Sequence, residues 1–113
     1  MDLTRWVDEF EGAVTVCDTE GVILALNRRA EQMFVQDGGA ALIGKSLFDC
    51  HPEHANDTIR RLLADRSSNV YTVEKRGVRK LIYQAPWYRD GEFSGLLELT
   101  FDLPTEMRNI VRD

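Results

Sequence analysis

Two apolar segments, Leu81–Tyr88 and Phe93–Phe101, stand either side of a polar break, Arg89-Asp90-Gly91-Glu92, and that pairing restricts the folds open to the chain. Asp-Gly between apolar runs is a strong hairpin signal, because the pair tolerates the positive φ of a tight turn. The second run alternates towards its end: Leu97, Leu99 and Phe101 fall on one side, Glu98, Thr100 and Asp102 on the other. A period of two describes an antiparallel strand with one face against a core. A two-stranded ribbon alone is marginal in water. The side carrying Leu97, Leu99 and Phe101 is therefore expected beneath helices, with further strands beside it.

The rest of the chain supplies both. Leu3, Trp6, Val7 and Phe10 recur at helical spacing and predict a flanking helix over residues 1–10. Ala13–Cys17 and Val22–Leu26 are β-prone runs joined by Asp18-Thr19-Glu20-Gly21, which carries turn chemistry. Asn27 is placed to cap a short helix whose inward stripe is Ala30, Met33 and Phe34. Single helical turns are expected over Ala40–Ile43 and after Ser46. Pro52 suits the first position of a longer helix that buries Ile59, Leu62 and Leu63 and ends near Arg66. Val70–Lys75 reads as a strand, and Met107, Ile110 and Val111 predict a terminal helix over residues 104–113. Strands at both ends with helices between them predict an α+β domain over residues 11–103, its antiparallel sheet covered on one face.

Length and charge bound the function. A chain of 113 residues makes one core rather than two, and its net charge of -5 offers no general partner for nucleic-acid phosphates. No apolar run reaches the roughly 20 residues that span a bilayer, and the start lacks the basic-then-apolar pattern of a signal peptide. The expectation is a cytoplasmic protein without membrane or nucleic-acid partners. Cys17 and Cys50 show no CxxC spacing and are expected as free thiols.

Three motifs in order resemble the PAS sensor family: Asp18-x-x-Gly21-x-Ile23-x-x-x-Asn27, Ile43-Gly44-Lys45-Ser46-Leu47-Phe48, and Arg89-Asp90-Gly91-Glu92-Phe93-x-Gly95 followed by Asp102. The similarity runs from about Glu11 to Thr105. Phe48-Asp49-Cys50-His51-Pro52, with Gly95-Leu96-Leu97-Glu98-Leu99 downstream, is similar to PAS modules attached to hemerythrin-like proteins of anaerobic bacteria and archaea. If Asp113 ends the protein, the module is expected to stand alone. The resemblance implies a five-stranded antiparallel sheet with a pocket between its inner face and the central helices. It implies no particular ligand, because function lives in the site rather than the fold.

The pocket wall is expected from Phe48, Ile59 and Leu63 on the helices and Tyr71, Val73, Leu81, Tyr83, Trp87, Leu97 and Leu99 on the strands, a list that equally describes a packed core. Cys50, His51 and His54 are acceptable metal donors close in sequence. His51 lies at or before the helix start and so does not share a helical face with His54; His51 is expected to pack near that start and His54 to be partly solvated. Some PAS sensors hold haem through a histidine on the long helix; His54 lies near the start of that helix but at the margin of its inward face, so haem is a lesser expectation than a ligand-free or small-molecule module. The flavin-binding branch carries a cysteine where this chain has Leu47, and Cys50 comes three residues late. Leu3, Trp6, Val7 and Phe10 are expected to form a homodimer contact, the commonest symmetric assembly, the alternative being that they fold over the outer sheet face of their own domain.

The expectation is thus a sensory module that binds a small molecule, forms a homodimer or couples to a signalling partner protein. The rival is a ligand-free interaction module. An enzyme is not expected: there is no ordered Ser-His-Asp or Cys-His-Asn set, no phosphate-cradling glycine loop and no carboxylate pair.

Overall fold

The computed structural model describes residues 5–113. Five strands form one antiparallel sheet: β1 (Ala13–Cys17), β2 (Ile23–Leu26), β3 (Asn69–Lys75), β4 (Val78–Arg89) and β5 (Glu92–Asp102). Their spatial order is β2-β1-β5-β4-β3, so the first strand lies beside the last. Between the two strand groups run the helices α1 (Arg28–Met33) and α2 (Glu53–Asp65), with three 3-10 turns at Val35–Asp37, Gly39–Leu42 and Leu47–Asp49. This is the α+β five-stranded sheet with helices on one face.

Local chemistry explains where the elements begin. Asp18 Oδ1 accepts from the backbone N–H groups of Glu20 and Val22, both at 2.9 Å, and closes the β1–β2 turn. Asn27 is buried and uses its whole amide. Its Oδ1 caps α1 by accepting from Ala30 N–H at 3.0 Å and also accepts from Val14 N–H at 2.9 Å. Its Nδ2 donates to the carbonyls of Val7 and Gly12, both at 2.9 Å, tying the N-terminal segment to β1. Ser46 Oγ accepts from Phe48 N–H, starting the turn before α2. Pro52 occupies the cap position just outside α2, and Arg66, left-handed at φ 53°, ends that helix.

The core has two connected parts. Ala13, Ile23, Leu26, Ala30 and Leu42 pack together at the β2 end, with Phe34, Leu47 and Cys50 against them. Cys17, Leu96, Ile59 and Leu62 form the second part, joined by Leu47, Phe48 and Leu63. Leu96 is thus the β5 residue beneath α2. Alternation then assigns Leu96, Glu98 and Thr100 to the helix side, opposite Cys17, Thr15 and Ala13 of β1 in the pairing register.

That register corrects the expected orientation. Leu97, Leu99 and Phe101 occupy the opposite face with Val14 and Val16 of β1 and Leu81, Tyr83 and Ala85 of β4. They are half-buried rather than roofed by the helices. Phe10 stacks on Phe101 edge to face at 5.6 Å, with Trp6 against Phe10 at 5.4 Å. The physical reason is that the inner face carries a polar group of residues, so the apolar alternation marks the outer face instead.

Both flanking helices differ from expectation. Trp6–Glu9 is a single 3-10 turn, and Leu3 lies outside the described residues. No helix follows Asp102: residues 104–113 are irregular, with Met107, Ile110 and Val111 exposed. A helix of this length is marginal unless its apolar side docks, and nothing among the described residues covers these three side chains. Met33 is also exposed, leaving Ala30 and Phe34 as the inward stripe of α1.

Candidate functional site

A cleft of about 440 Å³ opens between α2 and the inner face of β3, β4 and β5. The helix side contributes His51, His54, Thr58, Ile59 and Arg61, and the sheet side Asn69, Tyr71, Gln84 and Glu98. A smaller recess, with room of about 20 Å³, continues inward past His51, Gln84 and Glu98 to Thr15 and Cys17. Positions 54, 58 and 61 fall on one face because they are three and four residues apart on a helix. Positions 69, 84 and 98 meet because they are cross-strand partners in the register Asn69–Gln84–Glu98.

Those three side chains form a hydrogen-bonded row. Asn69 Nδ2 donates to Gln84 Oε1 at 3.0 Å, and Gln84 Nε2 donates to Glu98 Oε1 at 3.0 Å. Burial pushes the Glu98 carboxyl pKa up from its ordinary value, while the Gln84 bond and the nearby His51 ring oppose the rise. Burial, with Glu98 adding to it, also raises the Tyr71 phenol. His51 Nδ1 lies 2.9 Å from the Leu47 carbonyl. A carbonyl only accepts, so Nδ1 carries a proton.

The raised Glu98 pKa has a definite sign in stability. Its contribution is full below the ordinary carboxyl pKa of 4.5 and is lost as pH rises through the raised folded value. Glu98→Gln keeps an acceptor for Gln84 and removes the half-buried charge. It is expected to stabilise the fold at pH 7 by on the order of 1 kcal/mol and to change little at pH 4. Urea midpoints at the two pH values measure this, and a variant weaker than wild type at pH 7 contradicts it.

Of the expected pocket wall, the structure brings Ile59 and Tyr71 to the cleft. Leu97 edges the inner recess, although its strand alternation sends the side chain outward. Leu81, Tyr83 and Leu99 lie on the outer face, so they are corrected from pocket to back surface. Phe48 and Leu63 pack into the core beside Ile59, and Val73 is exposed without lining the cleft. Trp87 donates from Nε1 to the Cys17 carbonyl at 2.9 Å and fastens β4 to the end of β1. Arg61, Asn69, Gln84 and Glu98 were not expected. The available signal was Gln84, a lone amide inside the apolar run Leu81–Pro86.

Cys50, His51 and His54 do not converge. Cys50 Sγ contacts the Ser46 carbonyl at 3.7 Å, His51 is held by Leu47, and His54 is exposed at the cleft mouth. No group of three or more candidate metal ligands occurs among the described residues. A haem does not fit the cleft as lined, since haem needs a broad apolar slot and this floor carries Glu98, Gln84 and Asn69. Both cysteines are free, with Cys17 buried.

The family model described as PAS fold matches residues 7–103. The chain belongs to the PAS fold family. Solved PAS structures share its architecture at low identity. A sensory box sensor histidine kinase from Vibrio cholerae is 18% identical, with a TM-score of 0.65 and 90% of each chain covered. The PAS domain of BvgS from Bordetella pertussis is 20% identical, with a TM-score of 0.65, covering 88% of this chain and 82% of that one. The Aer2 receptor from Vibrio cholerae, described as a dual PAS-heme oxygen sensor, is 16% identical, with a TM-score of 0.60, covering 82% of this chain and 95% of that one. At these identities the likeness establishes the fold alone. No curated protein sequence matches the chain. Among the described residues of this PAS domain, no helix is long and apolar enough to cross a membrane.

Proposed function

We infer that this PAS domain is a sensory module that binds a small polar molecule in the cleft between α2 and the inner sheet face. The observation that carries the reading is the hydrogen-bonded row Asn69–Gln84–Glu98, buried at Gln84 and half-buried at its two ends, on the floor of an open cavity. A core built only for stability gains little from a half-buried carboxylate, because desolvation offsets what its bonds return. Placed at a cavity, the same group is a recognition element. Binding shifts the packing of α2 against β4 and β5, and the segments beyond the sheet pass the change to a signalling partner protein. The free thiols support action in a reducing compartment such as the cytoplasm. The module has no catalytic role of its own in this reading.

Titration of ¹⁵N-labelled protein with a small-molecule library tests the site. The side-chain amide signals of Asn69 and Gln84 are expected to shift together with Thr58 and Arg61 when a ligand enters. Shifts confined to the outer face, or none, contradict the reading.

The outer face favours a second role, homodimerisation. Trp6 is 49% exposed and stacks on Phe10, which stacks on Phe101, so an aromatic ladder leads onto the half-buried Leu97 and Leu99 surface. Native mass spectrometry is expected to show a dimer that becomes a monomer when residues 1–10 are removed. A monomeric full chain rejects this role without touching the cleft.

A further inference from the structure

The cleft has two chemically opposed ends. At the floor, the hydrogen-bonded row terminates on Glu98, whose Oε1 takes Gln84. Among the described residues, no protein donor bonds Glu98 Oε2 and no cationic side chain forms an ion pair with the carboxylate. At the mouth, Arg61 and His54 line the opening from α2, and no acidic side chain among the described residues lies in ion-pair range of Arg61. The neighbouring Arg60, by contrast, is already paired with Asp57 and Glu53 and sits over the Phe48 ring.

We propose that the ligand of this cleft is a small amino acid, its ammonium group on Glu98 and its carboxylate on Arg61. The inference rests on the cleft being a ligand site. A half-buried carboxylate with one oxygen open to the cleft gains from a donor and a countercharge, and an ammonium group supplies the two at once. A neutral hydroxyl leaves the charge uncompensated. Arg61 presents a planar fork that matches a carboxylate on two parallel bonds. A compound with only one charged group satisfies one end of the cleft and leaves the other unpaired. The volume of about 440 Å³ lies in the lower part of the small-molecule range, which suits a compact zwitterion.

The probes are glycine, β-alanine, 4-aminobutyrate, 5-aminopentanoate and 6-aminohexanoate, each against the monocarboxylate and the monoamine of matching length. Binding is read from shifts of the Asn69 and Gln84 side-chain amides in the full chain. At one spacing, the amino acid is expected to bind at least tenfold tighter than either single-charge control. Glu98→Gln is expected to abolish its advantage over the monocarboxylate, and Arg61→Ala its advantage over the monoamine, with both variants retaining native spectral dispersion. Equal binding of single-charge controls, or an undiminished preference in Glu98→Gln, overturns the proposal. If neutral library compounds shift the cleft signals and no amino acid does, the ligand class is wrong and the site stands. If no compound of either set shifts them, the site reading fails as well.

Discussion

Asn27→Ala is expected to cost about 4 kcal/mol of folding stability, the sum of one lost helix cap and several buried groups left without partners. The substitution orphans the N–H groups of Val14 and Ala30 and the carbonyls of Val7 and Gly12, which sit on three different parts of the chain. Water does not readily replace those partners, because Asn27 is only 3% exposed. For a domain of this length, a loss of that size lowers Tm by on the order of 15 °C. Equilibrium urea unfolding gives the value, and a loss below about 1 kcal/mol would show that these bonds do not brace the N-terminal segment. Asn27→Asp separates the two halves of the role. Its oxygens still accept from Val14 and Ala30, but the carboxylate now opposes two carbonyls, so the damage is expected to ease in acid as the side chain gains a proton.

Gly95→Ala is the second large effect. Gly95 is buried at φ +138°, and a Cβ there collides with the Cys17 carbonyl oxygen and falls 2.7 Å from the Asp18 carbonyl carbon. Both obstacles are backbone, so no side chain can turn aside. The strand has to retreat from β1, which strains the Cys17–Leu96 pairing and the Trp87 hydrogen bond to the same carbonyl. Overpacking and the unfavourable φ together are expected to cost about 3 kcal/mol or more. Circular dichroism melts measure the fall in Tm. Trp87 fluorescence moving to longer wavelength is the accompanying sign that its indole has lost its partner. A variant within about 0.5 kcal/mol of wild type would mean that β1 and β5 do not approach so closely.

Much of the fold was legible because its signals are local. Asp18 and Gly21 close a turn that needs an acceptor side chain and a positive φ, and Asn27 caps a helix with the right amide. The long final hairpin follows from Asp90-Gly91 between apolar runs, and α2 from Ile59, Leu62 and Leu63 after Pro52. The site was less legible, since alternation in β5 shows two faces without saying which one meets the helices. Leu97, Leu99 and Phe101 carry the apolar signal, yet Leu96 is the residue locked among Cys17, Ile59 and Leu62. A polar cleft floor and a solvated strand face have the same residue pattern. What separates them is the partner across the sheet: Glu98 is bonded to Gln84, and Gln84 to Asn69, through pairings 14 and 15 residues apart. The terminal stripe Met107, Ile110 and Val111 likewise has helical spacing, but spacing does not provide a docking surface.

The orientation of β5 decides where the cleft floor lies, and through-space methyl contacts in selectively labelled protein read it directly. Cross-peaks from Ile59 and Leu62 to Leu96 are expected, with Leu99 showing contacts to Val14 across the back of the sheet. Cross-peaks joining Ile59 or Leu62 to Leu97 and Leu99 instead would turn the strand over, expel Glu98 from the cleft and contradict the account.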